Sequence, residues 1–596
     1  MEIKNKDLYK KSLLLSIFIL ITSLLITSIG YKEGLFLSYF KDIRVLIYNF
    51  IPIFLIIIIF AYILKSLSKS FLITSIVINF GAYVNYIKII YREEPLYARD
   101  LFLTTEAFTM AKKYDLNLDS KNFLVFILAI AISIYLYNKL KDYNFDLEFR
   151  FRDAGITFII FILMVFSLLF NFNTYHKIGA ASGLNLWMEL EGYQSKGFVY
   201  PFIYSIKSTK SYKYKDYNKK RAEEIYNSYE YKNIPEDKKI NVVAIMLESF
   251  KDFKKYENED MIFDKDPYEY FHKLQQESYA GNILVNSFGG GTFLTETNFL
   301  TGYKNTPRFD KKTISYPQYL KEQGYTNYAF HPNVGTFYNR KNVYPNLGFD
   351  KFYEYDETFK NINKNILMDN DFYTFIKEKF SEKEANKPYF YFGVTYQNHG
   401  PYTKDAIRDD QKYIRWNDSY SEEWYNYFNR YLSGIESSSN AMKDLVDYYS
   451  NTNEPTVLIL FGDHSPSMGD NKVCFDMFNI EHGVDSTQGI INLYETPYIV
   501  WANNSAKNTL GKDFVGVGEN LEAAFLMSSI FEYMGWEGNQ YNQFVNSTRK
   551  DISILKESWF CINGEYTDKP NEESLKKIDD FKNMEYYTSH LLDKKK

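Results

Sequence analysis

Five apolar segments in the first 171 residues constrain this chain more than any other feature: Leu13–Ile29, Val45–Leu64, Phe71–Ile90, Asn122–Asn138 and Gly155–Phe170. A bilayer core takes ~20 mostly apolar residues per helix, and each segment meets that length roughly. Charges are nearly absent inside them, and Lys88, near an end, can snorkel. Pro52 is expected to kink the second segment or to sit near its start. Lys4, Lys6, Lys10 and Lys11 precede the first segment, as in a signal peptide. That segment is long, lacks a small-residue cleavage site and is followed by four more, so it reads as a retained helix. Lys65 and Lys69 in the second loop, and Lys139, Lys141, Arg150 and Arg152 in the fourth, join the basic N-terminus in marking the cytoplasmic side. Everything after Phe170 is then expected outside.

Residues 1–171 are therefore read as a multi-pass α-helical membrane domain and 172–238 as an extracytoplasmic linker. Within the loop Tyr91–Lys121, Arg99–Ala111 reads as an interfacial or packed connector helix with Asp100 as its N-cap. From residue 239 to 596 short apolar runs alternate with amphipathic stretches. Val242–Leu247, Tyr389–Thr395, Val457–Phe461 and Tyr498–Trp501 read as strands, and Pro317–Gln323 and Tyr425–Tyr449 as helices. That alternation predicts an α/β domain with a sheet covered by helices. Ligands in such domains gather beyond the carboxyl ends of the strands.

The net charge of −5 comes with no basic stripe and gives no reason to expect nucleic acid. The 55 tyrosines fit a carbohydrate-binding surface, but abundant Ile, Lys and Asn point to biased composition instead. Cys474 and Cys561 form no CxxC and no zinc pattern, and neither begins the C/S-x-P-x-R motif of formylglycine sulfatases.

Chemistry-bearing residues stand where the predicted strands end. Glu248 follows one strand and Asp463-His464 another. Two carboxylates and an imidazole make a mixed O/N set that suits manganese, magnesium or zinc. Taken singly, each could be a capping carboxylate or a hydrogen-bonded turn histidine; their joint position favours a metal. Between them in sequence lies Gly289-Gly290-Gly291-Thr292, opening a stretch that reads as a helix ending near Gly302. A threonine hydroxyl needs a divalent ion to become a nucleophile. The glycines admit close backbone approach to an oxyanion, and the helix N-terminus would point amides at a phosphoryl group. Arg340 offers the planar fork that pairs with phosphate oxygens, or an ordinary ion pair. His399, in a strand-end loop, could donate a proton to a leaving oxygen.

GGGTFLTETNFLTG, MLESF and LFGDHSP together resemble the lipoteichoic acid synthase family of the alkaline phosphatase and sulfatase superfamily. REEPLYARDL after the third span is similar to that family's corresponding loop. The resemblance implies an extracellular sulfatase-like domain with a central mixed sheet. It implies one Mn2+, with Mg2+ as the other option, held by Glu248, Thr292, Asp463 and His464. It implies that Thr292 carries a covalent phosphoglycerol. HPNVGTFYNR resembles the family's substrate stretch and implies roles in substrate binding for His331, Asn333, Tyr338 and Arg340; TYQNHGPY implies one for His399. Pro332 and Tyr338 depart from the usual glycine and tryptophan, changes that bear on the head-group pocket.

The expected function is a membrane-bound phosphoglycerol transferase with phosphatidylglycerol as donor and a glycolipid or polyglycerol-phosphate chain as acceptor. The nearest rivals are transfer of phosphoethanolamine, transfer to another glycan, and a sulfatase-like hydrolase. A non-catalytic membrane sensor is a rival of a different class.

Overall fold

The computed structural model describes residues 2–29, 31–92, 95–102, 120–140, 150–179, 189–209, 214–305, 307, 309–362, 367–556 and 559–591. The chain divides into two compact units, Met1–Tyr212 with Thr336–Asn339, and Lys213–Gly335 with Arg340–Lys596.

The first unit is a helical bundle. Its main helices are α1 (Glu2–Ser28), α2 (Ile43–Leu64), α3 (Leu67–Arg92), α4 (Ser120–Leu140) and α5 (Arg150–Met164), the last prolonged by a wider turn through Leu169. Five stretches are long and apolar enough to cross a bilayer: Asp7–Ser28, Ile43–Leu64, Leu67–Ile90, Lys121–Leu140 and Phe151–Leu169. Pro52 lies inside α2. Lipid tails are as apolar as leucine, so packing and polar contacts must join such helices. Ser75 and Ser133 share a hydroxyl hydrogen bond of 2.7 Å between α3 and α4, and Asn122 Nδ2 donates to Ile26 O of α1 at 2.8 Å. Most of the expected connector helix Arg99–Ala111 lies outside the described residues; Ala98–Phe102 forms a short 3-10 turn.

The second unit is built on a mixed sheet of strands β1 (Asn241–Leu247), β2 (Tyr279–Leu284), β3 (Thr326–Phe330), β4 (Lys351–Tyr353), β5 (Tyr389–Val394), β6 (Thr456–Gly462), β7 (Glu495–Ala502), β8 (Gly516–Val517) and β9 (Leu521–Glu522). The order is β4-β3-β5-β1-β6-β7-β2-β8, with β9 also on β2. Strand β7 runs antiparallel to both β6 and β2; the other neighbours are parallel. Every residue of β1 and β6 is buried. Val242, Ala244 and Met246 enter one core layer, and Val243, Ile245 and Leu247 the other. A strand covered on both faces needs apolar residues at every position, which is why these read as unbroken runs. The antiparallel β2 and the strand β3, next to the edge strand β4, escape sequence reading because polar residues such as Asn282 and Asn327 interrupt them.

Part of the stretch read as a linker packs with this second unit. Helix Lys219–Asn227 places Ala222 in its core, and Arg221 pairs with Asp580 at 2.7 Å. Cys474 and Cys561 are buried free thiols.

Candidate active site

Leu247 of β1 is in register with Gly462 of β6, so the next residues, Glu248 and Asp463, leave the sheet side by side. Gly462 is obligatory, because a Cβ there would lie 2.2 Å from Phe250 O. The chain then turns sharply at Ser249, whose φ is 52°. This turn lets the Ser249 amide donate to Asp463 Oδ1 at 2.7 Å and its hydroxyl donate to Glu248 Oε1 at 2.9 Å. The His464 amide donates to the same Asp463 Oδ1 at 2.7 Å. Asp463 Oδ2 is left buried with no hydrogen-bond donor.

His464 Nδ1 lies 3.1 Å from Ser465 O. A carbonyl can only accept, so Nδ1 carries a proton and a neutral ring presents its lone pair at Nε2. That atom stands 3.2 Å from Asp463 Oδ2 and 3.6 Å from Glu248 Oε1. One ligand atom from each of the three residues lies within 4.8 Å of the others, all buried.

The electrostatics point the same way. Burial, then the charge of Glu248, pushes Asp463 up to about 7 despite the neighbouring imidazole. Burial likewise raises Glu248, offset in part by His464 and Ser249. Burial lowers His464, but Asp463 and Glu248 outweigh it and the net shift is upward. Two buried carboxylates this close repel one another unless a cation intervenes. The orphaned oxygen, the lone pair at Nε2 and the hard donor set fit a divalent cation.

Thr292 opens helix α6 (Thr292–Thr301). It follows Gly289, Gly290 and Gly291 at φ of 66°, 146° and 83°, a run that only glycine adopts without strain. The Gly289 amide donates to Ser465 O at 2.9 Å, pinning the loop beside the exit of β6. Thr295 Oγ1, one turn on, donates to Asp463 O at 2.6 Å and ties the helix to the same strand end. Thr292 Oγ1 is thereby set 3.5 Å from Glu248 Oε2 and 3.4 Å from His464 Nε2.

The five residues expected to bind substrate sit in different surroundings. His331, at the end of β3, is buried and lies 3.0 Å from Val394 O through Nδ1. Burial, reinforced by the nearby Arg340 charge, holds it well below the ordinary histidine range and therefore neutral. Arg340 is 1% exposed, and its fork meets Glu296 of α6, with Nη2 to Oε2 at 2.8 Å and Nε to Oε2 at 3.1 Å. His399 is exposed, with Nδ1 2.6 Å from Gly400 O, while neighbouring Asn398 anchors its loop by donating to Ser438 Oγ at 3.0 Å. Asn333 caps a local turn, its Oδ1 accepting from the Val334 amide at 2.8 Å. Tyr338 falls in the stretch Thr336–Asn339 that groups with the first unit, and it adopts a left-handed φ of 57°.

Sequence reading missed the residues that hold this site in place. Ser249 acts through two hydrogen bonds and Thr295 and Thr395 through one each, Thr395 Oγ1 accepting from the Glu248 amide at 2.9 Å. Nothing in a string marks such residues. Glu296 did carry a signal: a lone acid in a helix with Phe293, Leu294, Phe299 and Leu300 must find a partner if buried.

A family model described as Sulfatase matches residues 240–536. Residues 240–536 are a sulfatase-family domain. The chain is 27% identical over 344 residues to a putative cyclic beta-1,2-glucan modification protein of Rhizobium meliloti, covering 53% of this chain and 49% of the relative. It is 26% identical over 377 residues to lipoteichoic acid synthase of Staphylococcus saprophyticus, covering 58% and 54%. The chain thus spans about half the length of the curated relatives it matches. The Streptococcus pyogenes phosphoglycerol transferase GacH, solved with sn-glycerol-1-phosphate, superposes with a TM-score of 0.50 at 20% identity over 64% of this chain and 97% of that one. This likeness extends the alkaline-phosphatase and sulfatase-like fold to the second unit. In the sulfatase-family domain, Glu248, Thr292, Asp463, His464, His331 and His399 all follow the carboxyl ends of parallel or near-parallel strands, the edge where α/β sheets bind ligands.

Proposed function

We propose that the protein is a membrane-bound phosphoglycerol transferase. It takes phosphatidylglycerol as donor and a glycolipid or polyglycerol-phosphate chain as acceptor, on the outer side of the cell membrane. The observation that carries this reading is the placement of Thr292 Oγ1, at a helix N-terminus and within 3.5 Å of both Glu248 and His464. The relatives named lipoteichoic acid synthase support the choice of head group and acceptor.

Glu248, Asp463, His464 and Thr292 would hold Mn2+, or Mg2+, which supplies charge neutralisation and lowers the hydroxyl pKa of Thr292. Thr292 Oγ1 attacks the donor phosphorus, and its proton leaves toward Glu248 Oε2. The bond from phosphorus to the diacylglycerol oxygen breaks. That oxygen needs a proton, and His399 at the exposed rim is the donor we assign. Amides of the first turn of α6 face the phosphoryl oxygens and stabilise their charge. An acceptor hydroxyl then attacks the phosphorus of the Thr292 ester and gives its proton to His399, the bond from phosphorus to Thr292 Oγ1 breaks, and the proton held at Glu248 returns to the threonine oxygen. His331, neutral and buried, and Asn333 line the head-group side. Arg340 acts on the phosphate through its charge while bonded to Glu296. Tyr338 contacts the glycerol in this reading.

A second reading keeps the chemistry and changes the acceptor. The Rhizobium meliloti relative carries a glucan-modification name, which favours a soluble or cell-surface glycan as the recipient.

Diacylglycerol release from fluorescent phosphatidylglycerol by the full chain tests the core of the proposal. Release with manganese, lost with chelator and in Thr292→Ala, is expected. Normal release by Thr292→Ala would sink the covalent mechanism. Adding a glycolipid or a β-glucan acceptor then separates the two readings by which product carries phosphoglycerol.

A further inference from the structure

The loop that carries His399 is fixed from inside the second unit. It leaves β5 after Val394, and its residues bond to two helices, α7 (Asp369–Ser381) and α8 (Glu422–Ser450). His399 itself is exposed, its ring 4.8 Å from that of Tyr396. The two residues before it bond inward. Gln397 Oε1 accepts from the Asp369 amide at 2.9 Å, which turns its Nε2 toward Gly434 O at 3.0 Å and Ser438 Oγ at 3.4 Å. Asn398 Nδ2 donates to Ser438 Oγ at 3.0 Å, and Ser438 Oγ donates to Asp369 Oδ2 at 2.5 Å. Asp369, Asn398 and Ser438 are all buried.

Counting protons fixes every direction in this network. Burial pushes Asp369 up to about 6, so at neutral pH it is a carboxylate, able only to accept. The single Ser438 proton therefore goes to Asp369. Two lone pairs remain on Ser438 Oγ, and only N–H groups can meet them. Asn398 must present its NH2 to Ser438, and its Oδ1 is left buried without a donor among the described residues. An orphaned buried oxygen costs free energy, so Asn398 is held in an orientation that its own bonding would not select.

Gly434, one turn before Ser438 on α8, makes the room. A Cβ there would lie 2.5 Å from Asn398 Oδ1. The backbone is held as well. The Tyr402 hydroxyl donates to Asn398 O at 2.7 Å, across the turn that displays His399, and the His399 amide donates to Tyr396 O at 3.1 Å. The peptide joining Asn398 to His399 is therefore bonded at its carbonyl, at its amide and through the Asn398 side chain. His399 Nδ1 lies 2.6 Å from Gly400 O, a carbonyl that can only accept, so Nε2 is the ring atom left for a substrate.

We infer that Ser438 and Asp369 are positioning residues for His399, acting through the Asn398 side chain. Neither touches substrate. Asp369 orients the Ser438 hydroxyl, Ser438 orients the Asn398 amide, and Asn398 fixes the backbone from which the His399 ring serves the leaving oxygen. The effect on turnover rests on the transferase reading above; the anchoring of the loop does not.

The test measures hydrogen exchange of the segment 396–402 and diacylglycerol release on the same full-chain preparations. Ser438→Ala and Asp369→Ala should each speed exchange in that segment about tenfold. Each should lower kcat for release by about tenfold, with KM unchanged. Asp369→Asn keeps an acceptor for Ser438 and should stay near the parent in both readouts. Added to His399→Ala, Ser438→Ala should lower release no further, because the two act as a unit. Gly434→Ala reaches the loop from the other side. Alanine favours a helix over glycine, so α8 should persist while Asn398 is displaced, with the same faster exchange and loss of release. Unchanged exchange in Ser438→Ala and Gly434→Ala overturns the inference. So does an equal further loss on adding Ser438→Ala to His399→Ala, which would make Ser438 structural only. If the parent releases no diacylglycerol, the phosphatidylglycerol reading fails by itself, and the exchange rates decide the anchor.

Discussion

Arg340 and Glu296 form an ion pair sealed inside the second unit, with Nη2 and Oε2 2.8 Å apart and side chains 1% and 0% exposed. The pair joins the end of one helix to the middle of α6, the helix that Thr292 opens. Removing one partner strands a buried charge, which typically costs ~3–5 kcal/mol. Glu296→Gln should lower the denaturation midpoint accordingly. Replacing both partners, Glu296→Leu with Arg340→Met, should recover most of that loss, as measured by thermal or urea denaturation of the full chain. Diacylglycerol release should be lost in the double variant even though stability recovers, because the Arg340 guanidinium is gone.

Metal addition should raise the stability of the protein by mass action. Ligand at a hundredfold over its dissociation constant contributes ~2.7 kcal/mol. Manganese should therefore raise the thermal midpoint, chelator should reverse the change, and Asp463→Asn should show neither. A full manganese shift in Asp463→Asn would remove Asp463 Oδ2 from the ligand set.

Thr292 separates turnover from binding. Thr292→Ala should keep a metal-dependent shift in midpoint yet lose diacylglycerol release by about a thousandfold or more, the signature of a group acting in the chemical step. Thr292→Ser should retain measurable release. Intact mass of the wild type incubated with donor alone should show the addition of one phosphoglycerol unit, absent in Thr292→Ala.

Lys251 gives a pH test away from the metal ligands. It is fully buried, its Nζ donating to Glu495 O at 2.9 Å and lying 5.0 Å from the Tyr256 ring. Burial, with help from Lys255, lowers it to about 7, although Glu495 and Asp252 pull the other way. The folded pKa is below the unfolded one, so between about pH 7 and ~10.4 the unfolded chain binds the extra proton. Stability from this group therefore rises with pH across that window, and the penalty is complete below pH 7. The stability of Lys251→Met relative to wild type should thus be greatest near pH 7 and decline toward pH 10. A difference independent of pH would show that Lys251 stays charged, or stays neutral, throughout.

Much of this was legible in the string because the physics is local. Five apolar runs fall on the five main helices of the first unit, since a bilayer core sets both length and composition. Val242–Leu247 and Val457–Phe461 stand out because strands buried on both faces are apolar at every position. The stretch after Gly291 was read as a helix and forms α6, and Gly302, at φ 74°, ends that helix as expected.

Other features depend on which distant segments meet. Asn282 and Asn327 hide β2 and β3, whose places come from pairing with β7 and β5. Arg340 has the same letters around it whether it grips phosphate or Glu296, and only the docking of two helices chose the acid. The nearness of Glu248 to Asp463 is likewise a matter of register, Leu247 opposite Gly462 across 215 residues of chain. The sequence by itself determined the membrane spans, the buried strands and the residue types that chemistry needs. Those follow from side-chain hydrophobicity and backbone freedom, which are properties of neighbours in the chain. Only the tertiary structure decided which carboxylates face each other and which arginine is already paired. Those are interactions through space, and their energies depend on distances and burial that no linear pattern carries.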